Sequence, residues 1–265
     1  NYFDTSEVNY LILDEADRML DMGFYDDIMK IASALPKGRQ NLLFSATMPP
    51  KIRTLANKLL KNPESISLAI SKPAEGITHY AYMCHDKQKV SLVREILKAK
   101  GRNISHILIF ASSIKSVREI KRTLNKAGMK ASEMHSGLDQ NQREQTIRDF
   151  KSKKIKILVA TDILSRGIDI KGIEIVINYE VPHDEEDYVH RIGRTARADR
   201  TGEAITFINP KQVKNFMDIE KLIEKEVTKL NLPEGFSEAP KYKIIAKKRK
   251  KKKWNKFKSK PTSPK

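Results

Sequence analysis

The chain has 265 residues, of which 39% are hydrophobic and 32% charged, and Lys plus Arg outnumber Asp plus Glu by 51 to 33. That is enough for a real core and one or two domains. A single cysteine, Cys84, excludes an internal disulfide, and the absence of a ~20-residue apolar run or a secretory h-region leads us to expect a soluble, cytoplasmic protein with no membrane partner.

The first element is the apolar run Val8-Asn9-Tyr10-Leu11-Ile12-Leu13, with the length of a buried strand, which ends abruptly in Asp14-Glu15-Ala16-Asp17. Carboxylates just past the carboxyl end of a central strand sit where open α/β sheets bind ligands. An Asp there can hold Mg²⁺ through water, and the adjacent Glu can polarise a water that attacks a γ-phosphate. A helix N-cap is the plainer account of the same residues. Helices are expected near 25–35 and 50–61. Between them a second strand, Asn41-Leu42-Leu43-Phe44, ends in Ser45-Ala46-Thr47, whose hydroxyls could bond the neighbouring carboxylates or simply cap the next helix.

The stretch Ser71-Lys72-Pro73-Ala74-Glu75-Gly76 breaks the pattern and reads as a linker, set at 71–77. From Thr78 the chain alternates strands near 78–83, 105–110, 130–134, 155–160, 173–178 and 203–208 with helices near 86–100, 113–127, 139–150, 184–197 and 211–224. Such alternation argues for a parallel sheet flanked by helices. Phe110 reads as core rather than as a stacking platform, because Ile107, Leu108 and Ile109 make a buried strand of its surroundings.

The last motif is His190-Arg191-Ile192-Gly193-Arg194-Thr195-Ala196-Arg197. On a helix, positions 191, 194 and 197 drift by about sixty degrees per step, so their guanidinium forks can serve one face and meet phosphate oxygens two at a time. A solvated basic helix face is the bland alternative. Beyond it, residues 231 to 240 thin out around Pro233 and Pro240, and the end has the composition of a disordered tail. Residues 241–265 hold thirteen Lys or Arg and no acid, leaving only +5 of the +18 net charge for the other 240.

Together these segments resemble the DEAD-box family of ATP-dependent RNA helicases, whose signature tetrapeptide is spelled out at 14–17. The resemblance runs in the family's order from 1 to about 230, through Ser45-Ala46-Thr47, Ile109-Phe110-Ala111-Ser112-Ser113, His135-Ser136-Gly137, Gln140-Asn141-Gln142-Arg143, Ala160-Thr161-Asp162-Ile163-Leu164-Ser165-Arg166-Gly167-Ile168-Asp169 and the arginine motif. Asp17-Arg18-Met19-Leu20-Asp21-Met22-Gly23-Phe24 and the lysine-rich end look most like the bacterial RhlE-type subgroup. The resemblance implies an α/β fold of tandem RecA-like parallel-sheet domains. The first, at 1–70, would be partial and the second, at 78–230, complete, followed by a basic tail at 231–265.

It also implies roles. Asp14 would hold Mg²⁺ through water and Glu15 would act on the attacking water, with His190, Arg194 and Arg197 completing the catalytic set. ATP would be met by Asp169 at the ribose and by Arg191, Arg194 and Arg197 at the phosphates, the last two as arginine fingers worth on the order of 10³–10⁵ in rate. Asp17, Ser45, Thr47 and Arg166 would couple the two domains, with a local ion pair as the less favoured account of Arg166 and Asp169. Ser113, Gly137, Gln140, Arg143, Thr161 and Gly167 would line the RNA side, with a helix N-cap at Asp139 and an exposed helix face as the alternative for that cluster. Lys250 and Lys251 would tether RNA electrostatically while Trp254 stacks on a base; a localisation signal or a solvated tail are the other readings of the lysine run. Contacts of these types favour sequence-nonspecific binding to a single strand or short duplex of RNA, by a monomer.

One departure matters. None of the eleven glycines is followed by lysine, so the phosphate loop G-x-x-x-x-G-K-[ST] is missing. The chain also opens on Asn1, so it is expected to be the carboxyl-terminal portion of a longer enzyme, with little or no ATPase activity alone. The alternative is a non-hydrolysing RNA clamp or adaptor. The intact Asp14-Glu15 pair and the motif arginines favour the enzyme.

Overall fold

A computed structural model of the chain describes residues 4–67, 76–101, 106–162, 170, 172–195 and 201–243, and the chain divides into two compact units, 1–71 and 72–265. Most of the linker read at 71–77 therefore lies outside the described residues.

In the first unit, β1 (Tyr10–Leu13) pairs in parallel with β2 (Gln40–Leu43), Leu13 opposite Leu43. Helices α1 (Ala16–Asp21) and α2 (Tyr25–Ala34) lie between the strands in sequence, and α3 (Pro50–Leu59) follows. Leu13 and Ala16 meet Ile28 and Ala32 of α2 and Ile52, Leu55 and Leu59 of α3 in one core, the helical members spaced three or four apart as one buried stripe requires. Proline opens α3, where its missing N–H removes no intrahelical bond. The six-residue α1 escaped the sequence reading because so short a helix shows no full apolar period.

The second unit is a seven-stranded sheet, parallel throughout, in the order β5-β6-β4-β7-β8-β3-β9. Its strands are β3 (Ile77–Met83), β4 (Ile107–Phe110), β5 (Ala131–Met134), β6 (Ile157–Ala160), β7 (Ile175–Asn178), β8 (Gly202–Ile208) and β9 (Thr228–Leu230). Its helices are α4 (Asp86–Lys100), α5 (Ile114–Lys126), α6 (Gln140–Lys151), α7 (Glu185–Ile192) and α8 (Val213–Leu222).

Strands β4, β6 and β7 are buried at every residue, which is why they read as unbroken apolar runs. Period-two alternation still sorts them. Ile107, Ile109, Val159 and Ile177 pack with Val93 of α4 and Ile120 of α5, whereas Leu108, Phe110, Leu158 and Val176 pack with Phe150 of α6. Each of these side chains contributes about 1.5–3 kcal/mol by burial.

The chain leaves β4 toward β5 on one side and leaves β7 toward β8 on the other. A topological switch point therefore lies at the carboxyl ends of the adjacent strands β4 and β7, where open α/β sheets bind ligands.

Past β9 the structure departs from the expected thinning at 231–240. Leu232 and Phe236 pack on the α4 and α5 side of the core, Gln88 Nε2 donates to Ser237 O at 3.0 Å, and Tyr242 Oη donates to Glu220 at 2.7 Å. Sparse apolar residues among prolines hid this strap, since it has no period of its own. The lysine-rich end from 244 onward lies outside the described residues.

Candidate functional site

In the first unit the acidic motif is built on the end of β1. Phe44 N donates to Leu13 O at 2.7 Å and Ala16 N to Phe44 O at 3.0 Å, so the two strand ends turn together. Asp17, buried on α1, then accepts at Oδ2 from both the amide and the hydroxyl of Thr47, each at 3.1 Å, and at Oδ1 from Arg18 N at 2.9 Å. Its own amide donates to Ser45 Oγ, whose hydroxyl donates to Thr47 O at 2.7 Å. The hydroxyls of Ser45-Ala46-Thr47 thus bond the acidic motif, and neither caps α3, which starts at Pro50 after Pro49.

Glu15 stands at the start of α1 with φ 50° and ψ 46°, a left-handed conformation that costs a non-glycine residue about 1–2 kcal/mol. Its side chain makes no capping bond there, so the plain N-cap account of this strand end is not realised. The strain falls on the residue expected to act on the attacking water, as strain often does at functional sites. Asp14 is exposed and spends Oδ1 on Glu15 N at 2.9 Å. Among the described residues no cluster of three acidic, His or Cys side chains could cage a metal. A single exposed carboxylate instead fits a cation that keeps its water shell, as Mg²⁺ prefers.

In the second unit the switch point is tied from several directions. Ser112, just past β4, donates its amide to Glu180 Oε2 at 3.0 Å, just past β7. Burial pushes the Glu180 carboxyl up, opposed by the Ser112 amide and by the charges of Lys89 and Arg191. Arg191 donates Nε to Asp162 Oδ1 at 2.7 Å and Nη2 to Asp162 Oδ2 at 2.9 Å, and its Nη1 lies 3.4 Å from both Asn178 Oδ1 and Glu180 O. The same guanidinium sits 5.3 Å from the centre of the Phe110 ring. Phe110 is thus core, as its neighbours implied, and its face carries a cation.

Arg191 corrects the phosphate-binding assignment. It is only 4% exposed and shares the inward face of α7 with Tyr188 and Ile192, three residues before it and one after. Its fork is committed to Asp162 and is not presented to a ligand. Helix α7 also ends at Ile192, so Arg194 does not continue the helical face of Arg191. Gly193 caps the helix where an added Cβ would come within 3.0 Å of Val189 O, and Thr195 Oγ1 then donates to Ile173 O at 2.5 Å. Arg194, half-buried on this turn, donates Nε to His190 O at 3.3 Å. Arg166, Gly167, Asp169, Arg197, Lys250, Lys251 and Trp254 lie outside the described residues.

The remaining residues expected on the RNA side follow the carboxyl ends of β4, β5 and β6, with Gln140 and Arg143 in the first turn of α6. Ser113 caps α5, accepting from Ser116 N at 3.1 Å. Asp139 caps α6 in a box with Gln142, and Gln140 Nε2 bonds Glu144 at 3.0 Å, so the N-cap account holds for this turn. Arg143 donates to Ser136 O at 2.7 Å, while Gly137 N donates to Nδ1 of buried His135 at 3.1 Å. A Cβ at 137 would lie 3.2 Å from that nitrogen, so a larger residue would have to displace the His135 ring by a few tenths of an ångström. Thr161 N donates to Met134 O at 3.0 Å, which joins the β5 and β6 ends. Sequence reading missed Asp162, Asn178 and Glu180. Asp162 stood within a quoted motif, but nothing in the string tells a ligand-facing acid from one that holds an arginine.

Two family models match the chain: "DEAD/DEAH box helicase" at residues 1–55 and "Helicase conserved C-terminal domain" at 88–199. Among curated relatives, the DEAD-box ATP-dependent RNA helicase CshA of Geobacillus kaustophilus is 39% identical over 227 residues, 85% of this chain and 48% of that protein. RhpA of Helicobacter pylori, also named a DEAD-box ATP-dependent RNA helicase, is 39% identical over 84% of this chain and 45% of its own length. The chain therefore spans about half the length of the curated relatives it matches. Among solved structures, Saccharomyces cerevisiae Dbp5 bound to RNA and ADP BeF3 gives a TM-score of 0.78 at 31% identity, over 86% of this chain and 61% of that one. A DEAD box protein from Methanococcus jannaschii gives 0.55 at 40% identity over the same shares.

Proposed function

This chain belongs to the DEAD-box family of helicases, its units being of the family's RecA-like α/β fold, and from that premise we propose that it serves as the carboxyl-terminal part of an RNA-dependent ATPase that locally unwinds or remodels RNA duplexes. The observation that carries the reading is the Asp17 carboxylate bound at both the amide and the hydroxyl of Thr47, which makes the acidic motif and Ser45-Ala46-Thr47 one unit beside strained Glu15. A clamp that never hydrolyses has no need of that arrangement.

In this reading Glu15 polarises the attacking water and Asp14 holds hydrated Mg²⁺, which when bound would neutralise charge developing on the phosphates. His190, Arg194 and Arg197 act on the same nucleotide from the second unit, and Asp169 meets its ribose. Arg191 acts indirectly, by fixing Asp162 beside Thr161. Ser45, Asp17, Thr47 and Arg166 couple nucleotide state to RNA binding. Ser113, Gly137, Gln140, Arg143, Thr161 and Gly167 take the RNA strand through phosphate and sugar, which makes recognition sequence-blind. The tail, with Lys250, Lys251 and Trp254, adds a salt-dependent tether. The protein acts as a cytoplasmic monomer.

The test is Glu15→Gln in the longer enzyme that carries a phosphate loop. Turnover is expected to vanish while ATP-dependent RNA clamping persists; loss of both would count against the assignment. The 265-residue chain alone is expected to bind RNA with little or no hydrolysis.

A further inference from the structure

Helix α5 begins immediately after Ser113 and runs away from the carboxyl edge of the sheet, with Val117, Ile120 and Leu124 turned into the core. On its opposite side Lys115, Arg118, Arg122 and Lys126 recur three, four and four residues apart, and all four are exposed. At 1.5 Å per residue this is one stripe about 16 Å long. Lys121 lies off the stripe and is paired with Glu133 at 3.1 Å. Glu119 is the single acid of the helix.

The stripe runs against what the helix would choose for itself. Arg118 and Arg122, and Arg122 and Lys126, are like-charge pairs at i,i+4, an arrangement that destabilises a helix. Lys115 places a cation in the first turn, against the positive end of the macrodipole, and no acid offsets it there. Elsewhere in the unit, exposed bases find carboxylates on their own helix: Lys98 with Glu95, Arg148 with Glu144 and Lys221 with Asp218. The first 240 residues hold 38 Lys and Arg against 33 Asp and Glu, so one helix with five bases and one acid carries nearly all of that excess.

We propose that this face of α5 binds the phosphate backbone of RNA that continues past the strand held at Ser113. The inference rests on the RNA-binding reading above and extends it to a surface outside the matched motifs. Four cations at regular steps on a rigid rod suit a polyanion of regular charge spacing, and two of them are arginines, whose forks bond phosphate oxygens in pairs. A protein partner is less well served. Interfaces between proteins centre on buried aromatic or aliphatic anchors, and every exposed large hydrophobic side chain among the described residues belongs to the first unit.

The experiment compares the wild-type chain with the fourfold variant Lys115→Gln, Arg118→Gln, Arg122→Gln, Lys126→Gln. A control variant removes the same charge from exposed lysines elsewhere: Lys87→Gln, Lys211→Gln, Lys214→Gln, Lys221→Gln. Glutamine is a good helix former, so the three proteins are expected to unfold at similar urea concentrations. The tail is intact in all of them. Binding to a single strand of about 30 nucleotides is read by anisotropy across a salt series. Each lost phosphate contact removes about 0.7 from the slope of log affinity on log salt, so the α5 variant is expected to lose about 2–3 from the slope and at least about tenfold in affinity at low salt, with the control little changed. Equal slopes for the α5 variant and wild type would overturn the surface alone. Equal losses in both variants would reduce it to net charge and overturn it as well. A wild-type chain without RNA affinity would overturn the proposed function and this surface with it. If the α5 variant lost affinity for a polyglutamate peptide as steeply as for RNA, the stripe would belong to acidic partners in general.

Discussion

The guanidinium of Arg191 holds the carboxylate of Asp162 at two points, 2.7 and 2.9 Å, and so fastens the inward face of α7 to the loop that follows β6. A residue that looks like one of three phosphate-binding arginines is instead the clasp of the second unit.

Replacing Arg191 by Lys keeps the charge but loses the fork, so at most one of its two bonds to Asp162 survives. Because Asp162 retains 30% exposure, the loss falls below that of a fully buried pair, at about 2–3 kcal/mol. Urea unfolding checks it; a midpoint equal to wild type would show that the ion pair contributes nothing net.

Thr47→Val keeps the shape of the side chain and removes one of the two bonds to Asp17 Oδ2. The first unit is expected to lose about 1.5–3 kcal/mol, the range for a hydrogen bond to a charged acceptor, and the Thr47 amide to exchange faster. Unchanged exchange at that amide would mean that the hydroxyl does not brace the loop.

His79, on β3, has Nδ1 3.0 Å from the hydroxyl of buried Tyr188 on α7. Burial, and then the charge of Lys225, lower its pKa from 6.5 to about 4. The fold therefore favours the neutral ring. Its contribution is fully present above pH ~6.5 and is lost as pH falls toward 4, because the unfolded chain binds a proton that the folded one refuses. Over that window the wild type is expected to lose about 2 kcal/mol more than His79→Gln, in which position 79 does not titrate. Parallel stability curves between pH 4 and 7 would sink the prediction.

Cys84 directly follows β3 in the core, and burial pushes its thiol up to about 12. Since the thiolate is the reactive form, an aromatic disulfide reagent is expected to label the native chain only through opening of the second unit, and promptly in urea. Rapid labelling without denaturant would contradict the burial.

Much of this was legible beforehand. The runs Ile107-Leu108-Ile109-Phe110 and Lys156-Ile157-Leu158-Val159-Ala160 announce strands covered on both faces, and α4 was expected at the residues it occupies, 86–100. Helix α5, expected near 113–127, spans Ile114–Lys126. The misses have physical reasons. Helix α1 is too short to show a period, β9 has three residues, and the strap at 231–243 is held by scattered contacts. Helix α7 stops five residues before its expected end because Gly193 and Thr195 turn the chain back toward Ile173.

The sequence by itself determined the alternating α/β architecture, the order of the motifs and the residue types available for phosphate and RNA chemistry, because hydrophobic period and strand-end chemistry are local properties. Only the tertiary structure decided how those residues are used. Ser45 and Thr47 became partners of Asp17 rather than helix caps, Arg191 turned inward to Asp162, and Glu180 came to hold the amide of Ser112. Each choice depends on two segments meeting that are 28 to 68 residues apart, and no local pattern encodes which polar side chain will find which partner once the core has closed.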